Sequence, residues 1–181
     1  MDSKKTDQSP VPPEKPAEVD IYRDTFVRYL GYANEVGEAF RALVHVNVVR
    51  FSYVVACSYV AADANHKGSL AAEKTEVASE VTKERAIAMA DTLVWQGLAS
   101  VAVPGFTINR VCALSNNLLQ RTSTLPSNIR KWTTTFIGLG CIPFIVKPID
   151  HSVDYMMNNT LRKFYVSKPE PPGIFHHERD D

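Results

Sequence analysis

The sequence predicts an all-α, multi-pass helical membrane protein with about three spans, and three observations carry that expectation. Both ends are polar, while the middle of the chain holds long stretches with almost no charge. From Thr92 to Asn109 there is no charged residue. Trp132 stands beside Arg130 and Lys131 at the entrance of a further apolar run, the arrangement of an interfacial anchor. The mean hydropathy of −0.15 is that of an ordinary soluble chain. That average mixes polar ends with apolar windows, and spans are read from windows.

Taken in order, residues 1–19 contain Pro10, Pro12, Pro13 and Pro16 and few apolar groups, so they read as a disordered tail. The segment contains no apolar run of a secretory signal, and it is acidic and free of arginine, unlike a cleavable mitochondrial presequence. Residues 20–41 read as an amphipathic helix capped by Asp20, with Phe26, Leu30, Ala33, Gly37 and Phe40 at spacings of three and four. That helix suits either a membrane surface or a neighbouring helix.

Residues 42–62 form the first expected span. Arg50 is the objection, because an arginine near the centre of a span costs about 2.5 to 3.5 kcal/mol. Small residues four apart, at Ser52/Ala56, Cys57/Ala61 and Ser58/Ala62, allow close helix contact. Residues 63–85 read as a polar connection with a turn around Gly68, followed by a solvated helix. The second expected span, 86–104, ends at Pro104-Gly105. Residues 105–131 carry Arg110, Arg121, Arg130 and Lys131 without an acid, a basic amphipathic segment suited to an anionic membrane surface. The third expected span is 132–149, kinked by Pro143 and closed by Lys147-Pro148. A short helix from Asp150 follows, and 167–181 is expected to be a disordered tail. The helical membrane domain is thus 20–166. Basic residues near the membrane divide equally between the two sides, so the positive-inside rule assigns no orientation.

Composition excludes several classes. Twenty basic residues balance twenty acidic ones, so bulk attraction to nucleic acid is not indicated. Cys57, Cys112 and Cys141 are odd in number and far apart, which supports neither a disulfide framework nor a zinc ribbon, and they read as buried inert thiols. No Walker motif, GxGxxG or HExxH occurs. Asp91 and Gln96 sit within an apolar stretch, where they mark either a polar pathway or an interface. His151 between Asp150 and Asp154 is a chance-level metal pattern. No catalytic, cofactor-binding or metal residue is therefore expected, and the protein is not expected to be an enzyme.

Several blocks together are specific: Tyr22-Arg-Asp-Thr25, Val27-Arg-Tyr-Leu-Gly-Tyr-Ala-Asn-Glu-Val-Gly-Glu-Ala-Phe-Arg41, Asp91-Thr-Leu-Val-Trp-Gln96, Ala99-Ser-Val-Ala-Val-Pro-Gly-Phe-Thr-Ile-Asn-Arg-Val-Cys-Ala113, Arg130-Lys-Trp-Thr-Thr-Thr135 and Pro148-Ile-Asp150. In order and spacing, residues 20–166 closely resemble the mitochondrial fission process protein family, also called the mitochondrial 18 kDa protein family. The resemblance implies a multi-pass protein of the mitochondrial inner membrane, with a role in mitochondrial fission and a link to apoptosis. It implies no cofactor and no catalytic residue. Arg50 departs from the family pattern, which is apolar there. The partners implied are the lipid bilayer and other membrane proteins of the division machinery, with a homo-oligomer as a further expectation. The competing readings are a small transporter or channel component, with His45, Asn47, Arg50, Asp91 and Gln96 lining a polar route, and a soluble bundle of unusually apolar helices.

Overall fold

The structure, a computed structural model, describes Tyr22 and residues 26–165. The expected tails, the Asp20 cap and the His176-His177 pair lie outside the described residues. Within them every regular element is a helix. A 3₁₀ turn, Phe26–Tyr32, leads into the short α1, Ala33–Phe40. α2 is Val46–Lys74 and α3 is Val81–Gln96. α3 continues through a π-helical stretch, Gly97–Ala102, into α4, Val103–Thr122. α5 is Ser127–Asn159 and α6 is Arg162–Tyr165.

The bundle is organised around one rod, Val81–Thr122, of 42 residues. At 1.5 Å per residue it is about 63 Å long. α2 runs antiparallel to its first half: Gly68 packs on Met89, Asp63 bonds Gln96, and Tyr53 lies over Gly105. α5 runs antiparallel along the rod in register. Arg130 is opposite Asn116, Gly138 opposite Cys112, Val153 beside Ala99 and Trp95, and Arg162 opposite Asp91. α1 is wedged between α2, α4 and α5 at the middle of the rod. The wedge fits because glycine faces it on both sides. A methyl group at Gly37 would collide with Ser52, and one at Gly138 would lie 2.6 Å from Cys112 Sγ and 3.2 Å from Ala39 Cβ.

The surface is inverted relative to a water-soluble bundle. Ten apolar residues are buried, but so are nine polar or charged ones, among them Glu35, Glu38, Asp63 and Asp91. Large apolar side chains point outward along every long helix: Phe51 and Val54 on α2, Phe106, Leu114 and Leu118 on α4, and Phe136 and Phe144 on α5. An apolar surface this continuous needs a non-aqueous cover. Among the described residues two helical stretches, Val81–Thr122 and Ser127–Asn159, are long and apolar enough to cross a membrane. α2, the helix holding the expected first span, carries Asn47, Arg50 and Asp63 and is not among them.

Several boundaries differ from the sequence reading, each for a physical reason. The amphipathic helix expected over 20–41 is, over the described residues, a 3₁₀ turn plus one short α-helix whose expected apolar face is only partly buried. Gly37 is buried and Ala33 and Phe40 are half-buried, but Phe26 and Leu30 are exposed, and Asn34, Glu35 and Glu38 are buried, Glu38 because α2 and α4 supply it with hydrogen-bond donors. The turn expected at Gly68 is helical, since this glycine admits Met89 against α2. Pro104 does not end the second span. It falls just after the π stretch, where Val103 N–H bonds Leu98 O five residues back, so the ladder re-forms around a residue without an N–H. Pro143 and Pro148 likewise lie inside α5, which runs on through the region expected to be a separate helix from Asp150. Each proline removes only its own N–H, so α5 gives up one ladder bond at each, to Leu139 O and Phe144 O, and the rest of the helix continues.

Gly138→Val is expected to lower stability by about 1–3 kcal/mol through overpacking, read as an earlier thermal melt in detergent. Gly140→Ala, where an added methyl meets nothing within 4 Å, is expected to be neutral or slightly stabilising.

Candidate functional site

Three polar clusters lie between the helices, and each binds one end or the middle of the rod to its neighbours. The middle cluster centres on Glu38 of α1. Its carboxylate accepts from Arg41 Nε at 2.7 Å, Tyr53 Oη at 2.9 Å and Asn109 Nδ2 at 2.8 Å, so one acid joins α1, α2 and α4. One turn back, Asn34 Nδ2 donates to Val101 O at 3.0 Å and ties α1 to the π stretch.

Glu35, beside Asn34, is fully buried, and neither carboxylate oxygen has a hydrogen-bond partner. It thus differs from Glu38 three residues away, whose carboxylate is fully engaged.

The second cluster is on α2 and α3. Asp63 accepts from Gln96 Nε2 and from Lys67 Nζ, the latter at 3.2 Å. The third closes the opposite end of α5. Arg162 grips Asp91 with two guanidinium nitrogens at 3.0 and 2.9 Å and reaches Asp154 at 3.3 Å. Trp95 Nε1 donates to the same Asp154 at 2.8 Å, and the Tyr165 hydroxyl donates to Asp91. Burial, together with the bond to Asp91, pushes the Tyr165 hydroxyl up to about 12.

These placements decide between the sequence-derived readings of individual residues. Asp91 is a buried structural acid paired with Arg162, not an open interface residue. His45, Asn47 and Arg50 are exposed, and His45 caps α2 by accepting from Asn47 N. They do not converge with Asp91 and Gln96 on any common route. His151 is exposed, and no group of three metal-ligating side chains occurs among the described residues. All three cysteines are free, but Cys57 is exposed, not buried. Glu35 and Glu38 fall off the apolar stripe of Phe26, Leu30, Ala33, Gly37 and Phe40, so periodicity alone did not single them out. The available signal was the close spacing of Asn34, Glu35, Gly37 and Glu38, a second stripe combining polar residues with glycine.

With this geometry established, the comparisons with known proteins decide the family. Residues 21–157 match the family described as Mitochondrial 18 KDa protein (MTP18). The chain belongs to that family. It is 61% identical over 147 residues to Mitochondrial fission process protein 1 of Danio rerio, covering 81% of this chain and 89% of the relative. The protein of the same name from Caenorhabditis elegans is 58% identical over 155 residues, 85% of this chain and 93% of the relative. The Homo sapiens protein is 54% identical over 160 residues, 88% and 96% respectively. No solved structure matches the chain. The matched region contains Asn34, Glu35, Glu38, Asp63 and Asp91, so the first two clusters lie within it, while Arg162 and Tyr165, the partners of Asp91, lie just beyond it.

Two outcomes test the clusters. Glu35→Gln, which replaces a buried carboxyl without hydrogen-bond partners by a neutral group of the same shape, is expected to keep or raise the melting temperature, measured in detergent by circular dichroism. Arg162→Ala leaves Asp91 buried without its cation and is expected to cost about 3 kcal/mol, most of it recovered when Asp91→Asn is added.

Proposed function

We propose that this protein is a non-enzymatic, three-span protein of the mitochondrial inner membrane that promotes mitochondrial fission. The observation that carries the reading is the match, over most of the chain, to relatives named Mitochondrial fission process protein 1. The inverted surface supports the membrane part. The polar layer of Trp95, Asp154, Gln96 and Asp63 and the level of Asn116 and Arg130 are separated by about 30 Å along the rod, at 1.5 Å per residue. That spacing equals the hydrocarbon thickness of a bilayer, about 30 Å.

In this reading α2 is the third span. Asp63 lies at one polar layer with Gln96, and the helix begins at Val46 towards the other. Arg50 is one turn inside that start, so its long side chain reaches the headgroups by snorkelling. The charge that counts against this span is thereby accommodated near its end. Beside the three spans, the 3₁₀ turn and α1 lead from the Asp63 level, where Tyr59 Oη donates to Tyr22 O at 2.9 Å, to the level of Cys112, so both described ends of the chain lie at the end of the bundle where Arg162 holds Asp91. The interior is taken up by paired structural groups, Glu38 with Arg41 and Asp91 with Arg162. This supports action through shape and partners in place of catalysis.

Depletion is expected to elongate the mitochondrial network and overproduction to fragment it, scored by fluorescence microscopy. It is also expected to alter sensitivity to an apoptotic stimulus, the link that the family resemblance implied. A network unchanged by either manipulation would count decisively against the proposal. Alkaline carbonate extraction of mitoplasts is expected to leave the chain in the pellet, and protease is expected to reach the two termini from the same side.

A further inference from the structure

Charge is segregated along the bundle in a way that the balanced total conceals. Between Asp91 and Asp150 the chain contains no Asp or Glu, yet it carries Arg110, Arg121, Arg130, Lys131 and Lys147. The antiparallel register of α4 and α5 gathers three of these cations near the turn that joins the two helices. Arg121 is in the last turn of α4. Arg130 is opposite Asn116, whose Oδ1 accepts from its Nε at 3.1 Å, leaving the terminal guanidinium nitrogens for other acceptors. Lys131 follows it and is exposed. Among the described residues none of the three has a carboxylate partner.

No acid from the packed elements competes for them. α5 and α4 have none along this hairpin. α1 is the neighbouring element that contributes acids: Glu38 is occupied by Arg41, Tyr53 and Asn109, and Glu35 is buried.

The cations adjoin an outward apolar wall. Leu118 is 63% exposed, Trp132 49% and Phe136 64%, and the Trp132 ring stacks on Phe136 with centroids 6.0 Å apart. An acidic protein segment or a nucleic acid would satisfy the charges but leave this wall uncovered. An anionic phospholipid supplies a phosphate and a hydrocarbon chain in a single ligand.

We propose that the α4–α5 hairpin end is a binding site for anionic phospholipid, with the headgroup phosphate held by Arg121, Arg130 and Lys131 and an acyl chain lying along Leu118, Trp132 and Phe136. The proposal rests on the membrane reading above and deepens it by assigning a lipid class to one end of the bundle. The site anchors the hairpin at the interface on the side where α2 begins.

The chain has two tryptophans, so Trp95→Phe leaves Trp132 as a fluorescent reporter at the site. The full-length variant is reconstituted in phosphatidylcholine vesicles containing an equal mole fraction of either brominated phosphatidylglycerol or brominated phosphatidylcholine. Brominated phosphatidylglycerol is expected to quench Trp132 at least about twofold more steeply, given the attraction each cation exerts on an anionic lipid. Adding Arg121→Gln, Arg130→Gln and Lys131→Gln is expected to abolish the difference, while Lys74→Gln with Lys83→Gln at the other end keeps it. Native mass spectrometry of the unmodified chain, expected to retain phosphatidylglycerol over phosphatidylcholine, covers the case in which a variant fails to fold. Equal quenching by the two lipids, in protein that resists alkaline extraction, overturns the lipid site and leaves the membrane reading intact. Extraction of the chain from the vesicles overturns the membrane reading instead. Loss of the preference on adding inorganic phosphate or poly-glutamate assigns the cations to a soluble anion or an acidic protein, and also overturns the proposal.

Discussion

The structure depends on one constraint: polar groups buried between apolar helices must be satisfied from within. Glu38 meets it by accepting from Arg41 at the end of its own helix and from Tyr53 and Asn109 on two others. Asp91 meets it through Arg162 and Tyr165. The outward faces are left to Phe51, Phe106, Phe136 and Phe144, a surface that suits the membrane location proposed above.

That constraint explains why α1 is short and why its neighbours are small where it enters. A wedge that brings two acids into the middle of a bundle must come close enough for hydrogen bonds of under 3 Å, such as Tyr53 to Glu38. Gly37 against Ser52 and Gly138 against Ala39 permit that approach. The π stretch serves the same junction. It carries the rod past Pro104 without a break and presents Val101 O to Asn34. Close approach and polar pairing are therefore one device, since either would be costly without the other.

The functional reading follows from this economy. The polar interior is occupied by groups that hold helices together, and the residues that seemed able to line a route, His45, Asn47 and Arg50, are on the outside. What the molecule presents to its surroundings is an apolar belt, a mixed-charge end and a purely cationic end. Those are features that position a protein in a bilayer and orient it towards partners, in keeping with a family whose members are named for mitochondrial fission.

The sequence by itself determined the helical class, the apolar middle and the family. Each of these is written in local pattern: uncharged windows, periodicity and ordered blocks. Only the tertiary structure decided which way the amphipathic segment faces, because Glu38 looks like a solvent-side residue until Tyr53 and Asn109 arrive from other helices. It also decided that Pro104, Pro143 and Pro148 are passed through, since a wider turn carries the rod to Pro104 and α5, packed along the rod, continues past the one backbone bond that each of its prolines removes. The pairing of Asp91 with Arg162 spans 71 residues, a separation that no local pattern encodes. The gathering of Arg121, Arg130 and Lys131 at one end likewise follows from the register of two packed helices, which side-chain packing sets and composition does not.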